Sequence, residues 1–262
     1  MSYRIYFLAA LLFVASVECS VAAVPRRAVS DGEIAAQGRL VASGPRVEIY
    51  EHGVKVDPSF LGVMESVYGK VEAMTGLKLD TATLGPKVRV YVSDAVQISH
   101  VWKGYEHPSD PIGVVFLNPR VYSGAMAGKN ATHIHELTHL FTWRFNSHTL
   151  REGIADYVAL TVLPGAAVGP NPGGGESSFE VPPEILELLG TTKPPPGWVS
   201  TDPVRRRAYY FASYRFVKYL IEMKGMETFR KLYVSEKPET AIKEFYGISR
   251  EEAIQAALSA RP

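Results

Sequence analysis

The sequence predicts an α+β fold, with a small mixed sheet packed on one helix and an all-helical lobe after it. Strand-like segments are confined to residues 46–117, where one strongly helical pattern interrupts them. Two further helical patterns follow directly, and residues 204–262 contain helical patterns alone. Strands mixed with helices and then a run of helices is the order expected of an α+β domain.

The first strands are predicted as a hairpin. Residues 46–50 alternate between polar and apolar side chains, which is the period of a half-buried strand. His52 and Gly53 form a candidate turn towards a second strand at residues 54–56. The segment before them is interpreted as a polar leader.

A helix and two more strands are expected next. Apolar residues recur at helical spacing over residues 58–75, and Gly76 stands where a C-cap would fall. Residues 88–92 and 112–117 are rich in β-branched side chains and predict two strands. Asn118 begins an Asn-Pro pair that should end the second strand.

The C-terminal part divides into a turn-rich segment and a helical lobe. Residues 164–203 are rich in glycine and proline around one short candidate helix at 183–189, so this segment is predicted to be the least ordered part or a lid. Residues 204–262 are predicted as a helical lobe. Its long helix should start near Asp202 and end at Gly225, and two short helices should follow, separated at Gly247.

The first 23 residues are interpreted as a cleaved export signal, with the folded lobe occupying residues 24–163. Arg4 precedes an uncharged apolar run over residues 5–17, and small residues stand where a signal peptidase would cut after Ala23. A retained anchor is the alternative, but the run is short for a bilayer. Cys19 is the only cysteine, so the mature chain would have no disulfide. We therefore expect a periplasmic or secreted protein without stable membrane insertion.

The net charge is +1, which provides no long-range field for nucleic acid or an anionic membrane. Neither is expected as a partner.

The segment His-Glu-Leu-Thr-His at residues 135–139 carries the strongest chemical signal. Two histidines four residues apart lie about 40° apart around a helix axis, so His135 and His139 can direct their rings at one ion. Glu136 stands beside them and is placed to take a proton from a water on that ion. Residues 131–145 form a credible helix, with Asn130 or Thr132 as its cap.

A catalytic zinc site usually needs a third protein ligand. The metzincin pattern is excluded, because Thr142 and Phe145 occupy the positions of its glycine and third histidine. Residues 150–162 predict a returning antiparallel helix, in which Glu152 comes to the level of the histidines. Asp156, one turn further on, is expected to accept the ring N–H of a ligand histidine and to fix its tautomer.

Together these segments resemble the gluzincin pattern HExxH…EGxAxY, shared by thermolysin and the zinc aminopeptidases. Twelve residues separate His139 from Glu152, which begins the sequence Glu-Gly-Ile-Ala-Asp-Tyr. The chain is most similar to the small, often exported peptidase-MA-like domains of that superfamily. It departs from them at Thr149, where a tryptophan is frequent, and in the short spacing between the two helices.

The resemblance implies a zincin-type fold and a peptidase that acts on peptide or protein substrates. It implies one Zn²⁺ held by His135, His139 and Glu152, with Glu136 as the general base.

The resemblance also suggests where a substrate would bind. The strand through Gly113, Val114 and Val115 is expected to be the edge along which an extended peptide lies. The chain does not have the G-x-M-E-N strand of aminopeptidases, which favours an endopeptidase. Tyr210 is expected to stabilise the oxyanion, with Tyr209 as the second choice. Burial of both tyrosines in the core is the alternative for this aromatic helix.

Two other interpretations of the chain remain open at this stage. One is a catalytically silent metal-binding or scaffold protein, and the other is an ordinary α+β domain whose histidines bind nothing. A purely structural zinc is normally closed by four protein ligands, and the three proposed here favour catalysis. The other five histidines are expected to be solvent-exposed or locally bonded. Residues 205–207 are three arginines, which form either a solvated helix start or a site for a substrate carboxylate.

Overall fold

The structure is a computed structural model that describes residues 29–101, 113–169 and 180–259. The predicted signal at residues 1–23 lies outside them, as does Cys19. Within the described ranges, no helix has the length and apolar character needed to cross a membrane.

A five-stranded mixed sheet forms the N-terminal half, as the sequence predicts. Its spatial order is β1-β2-β3-β5-β4. The two central pairings, β2 with β3 and β3 with β5, are parallel, and the two outer pairings are antiparallel. The strands are β1 Arg39–Ser43, β2 Val47–His52, β3 Val88–Ser93, β4 His100–Val101 and β5 Val114–Leu117.

A hairpin is present, but its two strands are not the two that were predicted. β2 pairs with β1, which precedes it, whereas residues 54–56 are not in a strand. The reason is Glu51, whose side chain accepts a hydrogen bond from the Val56 amide and so holds this segment without strand pairing. The polar leader contains helix α1 Asp31–Gln37, which begins with a capping box of Ser30 and Glu33 and was not predicted.

Ten further helices follow α1 in the described residues. Helix α2 ends at Gly76, which has φ +62° in the left-handed region, as predicted. Asn118 ends β5 as predicted, but it is also the N-cap of helix α4, which was not predicted. The helices are α2 Phe60–Thr75, α3 Thr81–Leu84, α4 Pro119–Met126, α5 Thr132–Phe141, α6 His148–Val162, α7 Pro183–Leu186, α8 Trp198–Thr201, α9 Pro203–Arg230, α10 Pro238–Tyr246 and α11 Arg250–Ser259.

The C-terminal lobe is all-helical, as predicted. Asp202 caps α9 through its carboxylate, and Gly225 interrupts that helix with a non-helical φ of +78°. Gly247 ends α10 in the left-handed conformation. Residues 180–203, the described part next to this lobe, are more ordered than predicted, since Ile185 and Leu189 are fully buried and pack into the main core.

One continuous apolar core joins the sheet to the helices and fixes the position of α5. The core includes Val90 of β3, Leu137 of α5, Ile154 of α6 and Phe216 of α9. A smaller cluster on the other face of the sheet is covered by Ile34 of α1. Every residue of α5 is buried, so its polar side chains must find partners within the protein.

Candidate metal centre

Helix α5 brings the two predicted histidines together. Their Nε2 atoms lie 2.9 Å apart, and the ring planes are almost perpendicular, at 89°. Both side chains are buried. The helix ends four residues earlier than predicted, at Phe141 with Thr142 as its C-cap, but both histidines remain inside it.

Helix α6 returns antiparallel beside α5 and supplies a carboxylate at the same point. Ser147 caps it through a hydrogen bond to the Leu150 amide, which starts the helix two residues earlier than predicted. Glu152 Oε2 lies 3.4 Å from Nε2 of His135 and 3.4 Å from Nε2 of His139. This oxygen is buried and has no hydrogen-bond partner among the residues described.

These three atoms fit a metal ion. Ligand atoms at 2.0–2.1 Å from a tetrahedral zinc are separated by about 3.3 Å. The observed separations are 2.9, 3.4 and 3.4 Å. A buried, unpartnered carboxylate oxygen is costly unless a cation or a donor compensates it. Two imidazoles and one carboxylate are also a donor set that suits zinc.

Glu136 is a second carboxylate at the same place. One of its oxygens lies within 4.8 Å of a ring nitrogen of both His135 and His139, so this buried group could itself hold a metal ion. The two glutamates differ electrostatically. Burial raises the pKa of Glu136 to about 7. Burial acts in the same direction on Glu152, but the adjacent histidines outweigh it and hold the pKa of Glu152 well below its usual range.

The predicted partner of a ligand histidine is present. Asp156 Oδ1 lies 2.7 Å from His135 Nδ1, and both groups are buried. Burial alone would lower the pKa of His135, but Asp156 outweighs it and raises that pKa well above its usual value. When the ring is neutral, as a metal ligand must be, a proton held on Nδ1 leaves the Nε2 lone pair facing His139 and Glu152. His139 differs, because its Nδ1 has no hydrogen-bond partner in the described part of the chain.

The two tyrosines of α9 have different surroundings. The Tyr210 ring lies against His135, with 6.2 Å between the ring centroids, and it is half-buried. Tyr209 is fully buried, and its hydroxyl lies 2.7 Å from Nδ1 of His148. Tyr210, the first choice for the oxyanion donor, is thus adjacent to the histidine pair, whereas the hydroxyl of Tyr209 is already bonded.

Gly153 explains how α9 comes so close to α6. A Cβ atom at this position would lie 2.3 Å from the carbonyl oxygen of Ser213 and 2.5 Å from a methyl of Val217. Only glycine permits this approach of the two helices. The glycine of the Glu-Gly-Ile-Ala segment therefore positions Tyr210 beside the histidines.

The predicted substrate strand is not a free edge. β4 pairs with β5 at Val115 and Phe116, so an added peptide strand could not pair there. Val114 and Val115 are completely buried in the apolar clusters on the two faces of the sheet. Gly113 has φ +66°, and a Cβ there would lie 1.9 Å from the carbonyl oxygen of Leu84. The edge role that the family resemblance implied is therefore wrong for Val115, because β4 already pairs with the strand there.

His148 is a site residue that the sequence reasoning missed. Its Nε2 lies 3.5 Å from Glu152 Oε1, and the side chain is mostly buried. The available signal was its position four residues before Glu152 on one helix. His133, which was expected to be either exposed or locally bonded, is fully buried. Arg205, in contrast, is an exposed residue near Asp202 and Glu184, as expected of a solvated helix start.

Comparisons with known proteins do not add to this geometry, since neither a protein-family model nor a curated protein matches the chain.

Proposed function

We propose that this chain is a zinc-dependent peptidase of the gluzincin type, which hydrolyses peptide bonds in peptide or protein substrates. The observation that carries the proposal is Glu152 Oε2, a buried and otherwise unpartnered oxygen at 3.4 Å from both His135 and His139. In this proposal these three residues hold one zinc ion, and Glu136 remains beside it for proton transfer. The gluzincin resemblance of residues 135–157 supports the same assignment.

Zinc bound by three protein groups supplies Lewis acidity, which polarises a substrate carbonyl and lowers the pKa of a water molecule. Glu136 accepts a proton from the attacking water as the new C–O bond forms. It then delivers that proton to the amide nitrogen as the C–N bond breaks. Its position supports this role, because a Glu136 oxygen lies within 4.8 Å of a ring nitrogen of both histidines, while Glu152 would supply the third ligand.

Tyr210 is proposed as the donor to the developing oxyanion. Burial raises the pKa of its phenol well above the usual value, and the nearby Glu152 and Glu136 raise it further. The group therefore stays protonated and can donate a hydrogen bond at neutral pH. Asp156 contributes by holding the Nδ1 proton of His135.

We also propose that the protein acts in the periplasm or after secretion. The support is the signal-like segment at residues 1–23, together with a sequence that has no cysteine after Cys19.

The test is hydrolysis of a random peptide library by the zinc-loaded protein, with products identified by mass spectrometry. Glu136→Gln should retain zinc and lose turnover by several orders of magnitude, because the amide cannot accept the proton. His52→Gln, a change on β2, should leave turnover unchanged. Libraries with free and blocked amino termini separate aminopeptidase from endopeptidase products. A zinc-loaded wild-type protein that cleaves no library peptide would instead favour the silent scaffold.

A further inference from the structure

His148 and Tyr209 form a chain of contacts that ends on Glu152. His148 is the first residue of α6, one turn before Glu152 on the same side of the helix. Its Nε2 lies 3.5 Å from Oε1 of Glu152, which is the oxygen directed away from the histidine pair. Its Nδ1 lies 2.7 Å from the hydroxyl of Tyr209 on α9.

The direction of the hydrogen bond between His148 and Tyr209 follows from what His148 faces on its other side. If Nδ1 carried the proton, the lone pair of Nε2 would face a carboxylate oxygen, which is repulsive. The Tyr209 hydroxyl is fully buried, and burial raises its pKa, so it stays protonated. Tyr209 therefore donates to Nδ1, and the ring N–H of His148 lies on Nε2, towards Glu152.

We propose that His148, with its tautomer set by Tyr209, is a positioning residue that holds Oε1 of Glu152 so that Oε2 faces His135 and His139. The inference rests on the proposed metal site. It gives Glu152 the kind of outer partner that Asp156 gives His135. Partners of this kind orient ligands and raise metal affinity.

The distances indicate the size of the effect. At 3.5 Å the contact between His148 and Glu152 is too long for a strong hydrogen bond. It still places a polar N–H against a carboxylate in a buried site, where electrostatic contacts are weakly screened. The bond from Tyr209 to His148 is short, at 2.7 Å, so the orientation of the ring is well defined.

The test measures the zinc affinity of the full-length protein by competition with a chromophoric chelator. His148→Ala should weaken zinc binding by about 10–100-fold, the usual cost of losing an outer partner. His148→Gln should recover part of this loss, because its amide can donate from nearly the position of Nε2. Tyr209→Phe should weaken zinc binding by about 3–10-fold. The His148 ring stays in place in this variant, but the hydrogen bond that fixes its tautomer is lost.

Two matched controls separate this effect from general damage. Tyr246 is another buried tyrosine, on α10, and its hydroxyl has no hydrogen-bond partner in the ranges described. Tyr246→Phe should leave zinc affinity unchanged. His52 is half-buried and bonded to Ser93 on the sheet, so His52→Gln controls for loss of a histidine. Thermal unfolding of each metal-free variant verifies that it folds.

A double-mutant cycle provides a readout that a merely structural role would not change. Tyr209 acts only through His148 in this proposal, so Tyr209→Phe should have no further effect on zinc affinity in the His148→Ala background. Additive losses would overturn the proposal, as would a zinc affinity of His148→Ala equal to that of the controls. If the wild type itself binds no zinc, the proposed function is refuted. The zinc affinity of the wild type therefore distinguishes that failure from a failure of the role proposed for His148.

Discussion

Glu51 on β2 and Glu152 on α6 are buried to the same degree, at 7% and 6% exposure. Their partners differ completely. The carboxylate of Glu51 accepts hydrogen bonds from Arg39, Lys55 and the Val56 amide, so the protein itself neutralises it. Glu152 contacts His148 through Oε1, and its Oε2 lies 3.4 Å from His135 and His139 but accepts no hydrogen bond from the described residues.

The proposed metal site accounts for this difference between the two carboxylates. An ionised carboxylate is expensive to bury unless charges or donors compensate it. The charge of Glu51 is compensated by groups close to it in the fold, and the bond to the Val56 amide fixes the chain between β2 and α2. Around Glu152 the missing part lies on the side of His135 and His139, where a divalent cation would complete it.

The largest effect is expected from Glu152→Ala. Loss of a direct ligand should weaken zinc binding by more than the ~10–100-fold that loss of an outer partner costs. Glu51→Gln should leave zinc affinity unchanged, because this side chain lies on the sheet with no contact to the histidines. Isothermal titration with zinc measures both. Equal affinities of the Glu152→Ala variant and the wild type would remove the distinction between the two glutamates.

Asp156→Asn should have the next largest effect, about 10–100-fold in zinc affinity. An asparagine keeps the size of the side chain, but its amide N–H can donate to Nδ1 of His135. The ring proton would then lie on Nε2, which could no longer bind the metal. Chelator competition measures the change. A wild-type affinity in this variant would show that the 2.7 Å contact serves stability alone.

A smaller effect, on stability, is expected from Glu51→Gln. Arg39 and the Val56 amide lower the pKa of Glu51 from 4.5 to about 2. A depressed pKa contributes stability that is fully present above the unfolded-state pKa and is lost as the pH falls to the folded-state value. The variant should therefore unfold at a lower temperature than the wild type at neutral pH. The difference should shrink between pH 4.5 and about 2. A pH-independent difference would contradict the ion-pair account.

Much of the candidate site could be predicted because its geometry is local. The i, i+4 spacing of His135 and His139 requires only a helix, and Glu152 and Asp156 require only a short turn into a second one. The contact between His148 and Tyr209 joins residues 61 positions apart, which no local pattern encodes. The approach of α9 that creates it depends on Gly153, whose need for a glycine appears only when the two helices are packed.

The elements of the fold also differ in how far local sequence patterns predict them. Helix α2 and strand β3 have strong periodicity and were predicted nearly to the residue. Strand β1 has an exposed edge position and no clean alternation in burial, so its pattern is weak. Strand β4 is two residues long and is defined by its pairing with β5. The edge role that the family resemblance implied for β5 does not allow for this pairing.

The most direct test of the account is zinc stoichiometry and affinity in Glu136→Gln and Glu152→Ala, measured beside the wild type. We expect one zinc per chain in the wild type and in Glu136→Gln, with similar affinities, and severe loss in Glu152→Ala. That result would make Glu152 the third ligand and leave Glu136 for proton transfer. The reverse pattern, with zinc lost in Glu136→Gln and retained in Glu152→Ala, would contradict the account, as would a wild-type chain that binds no zinc.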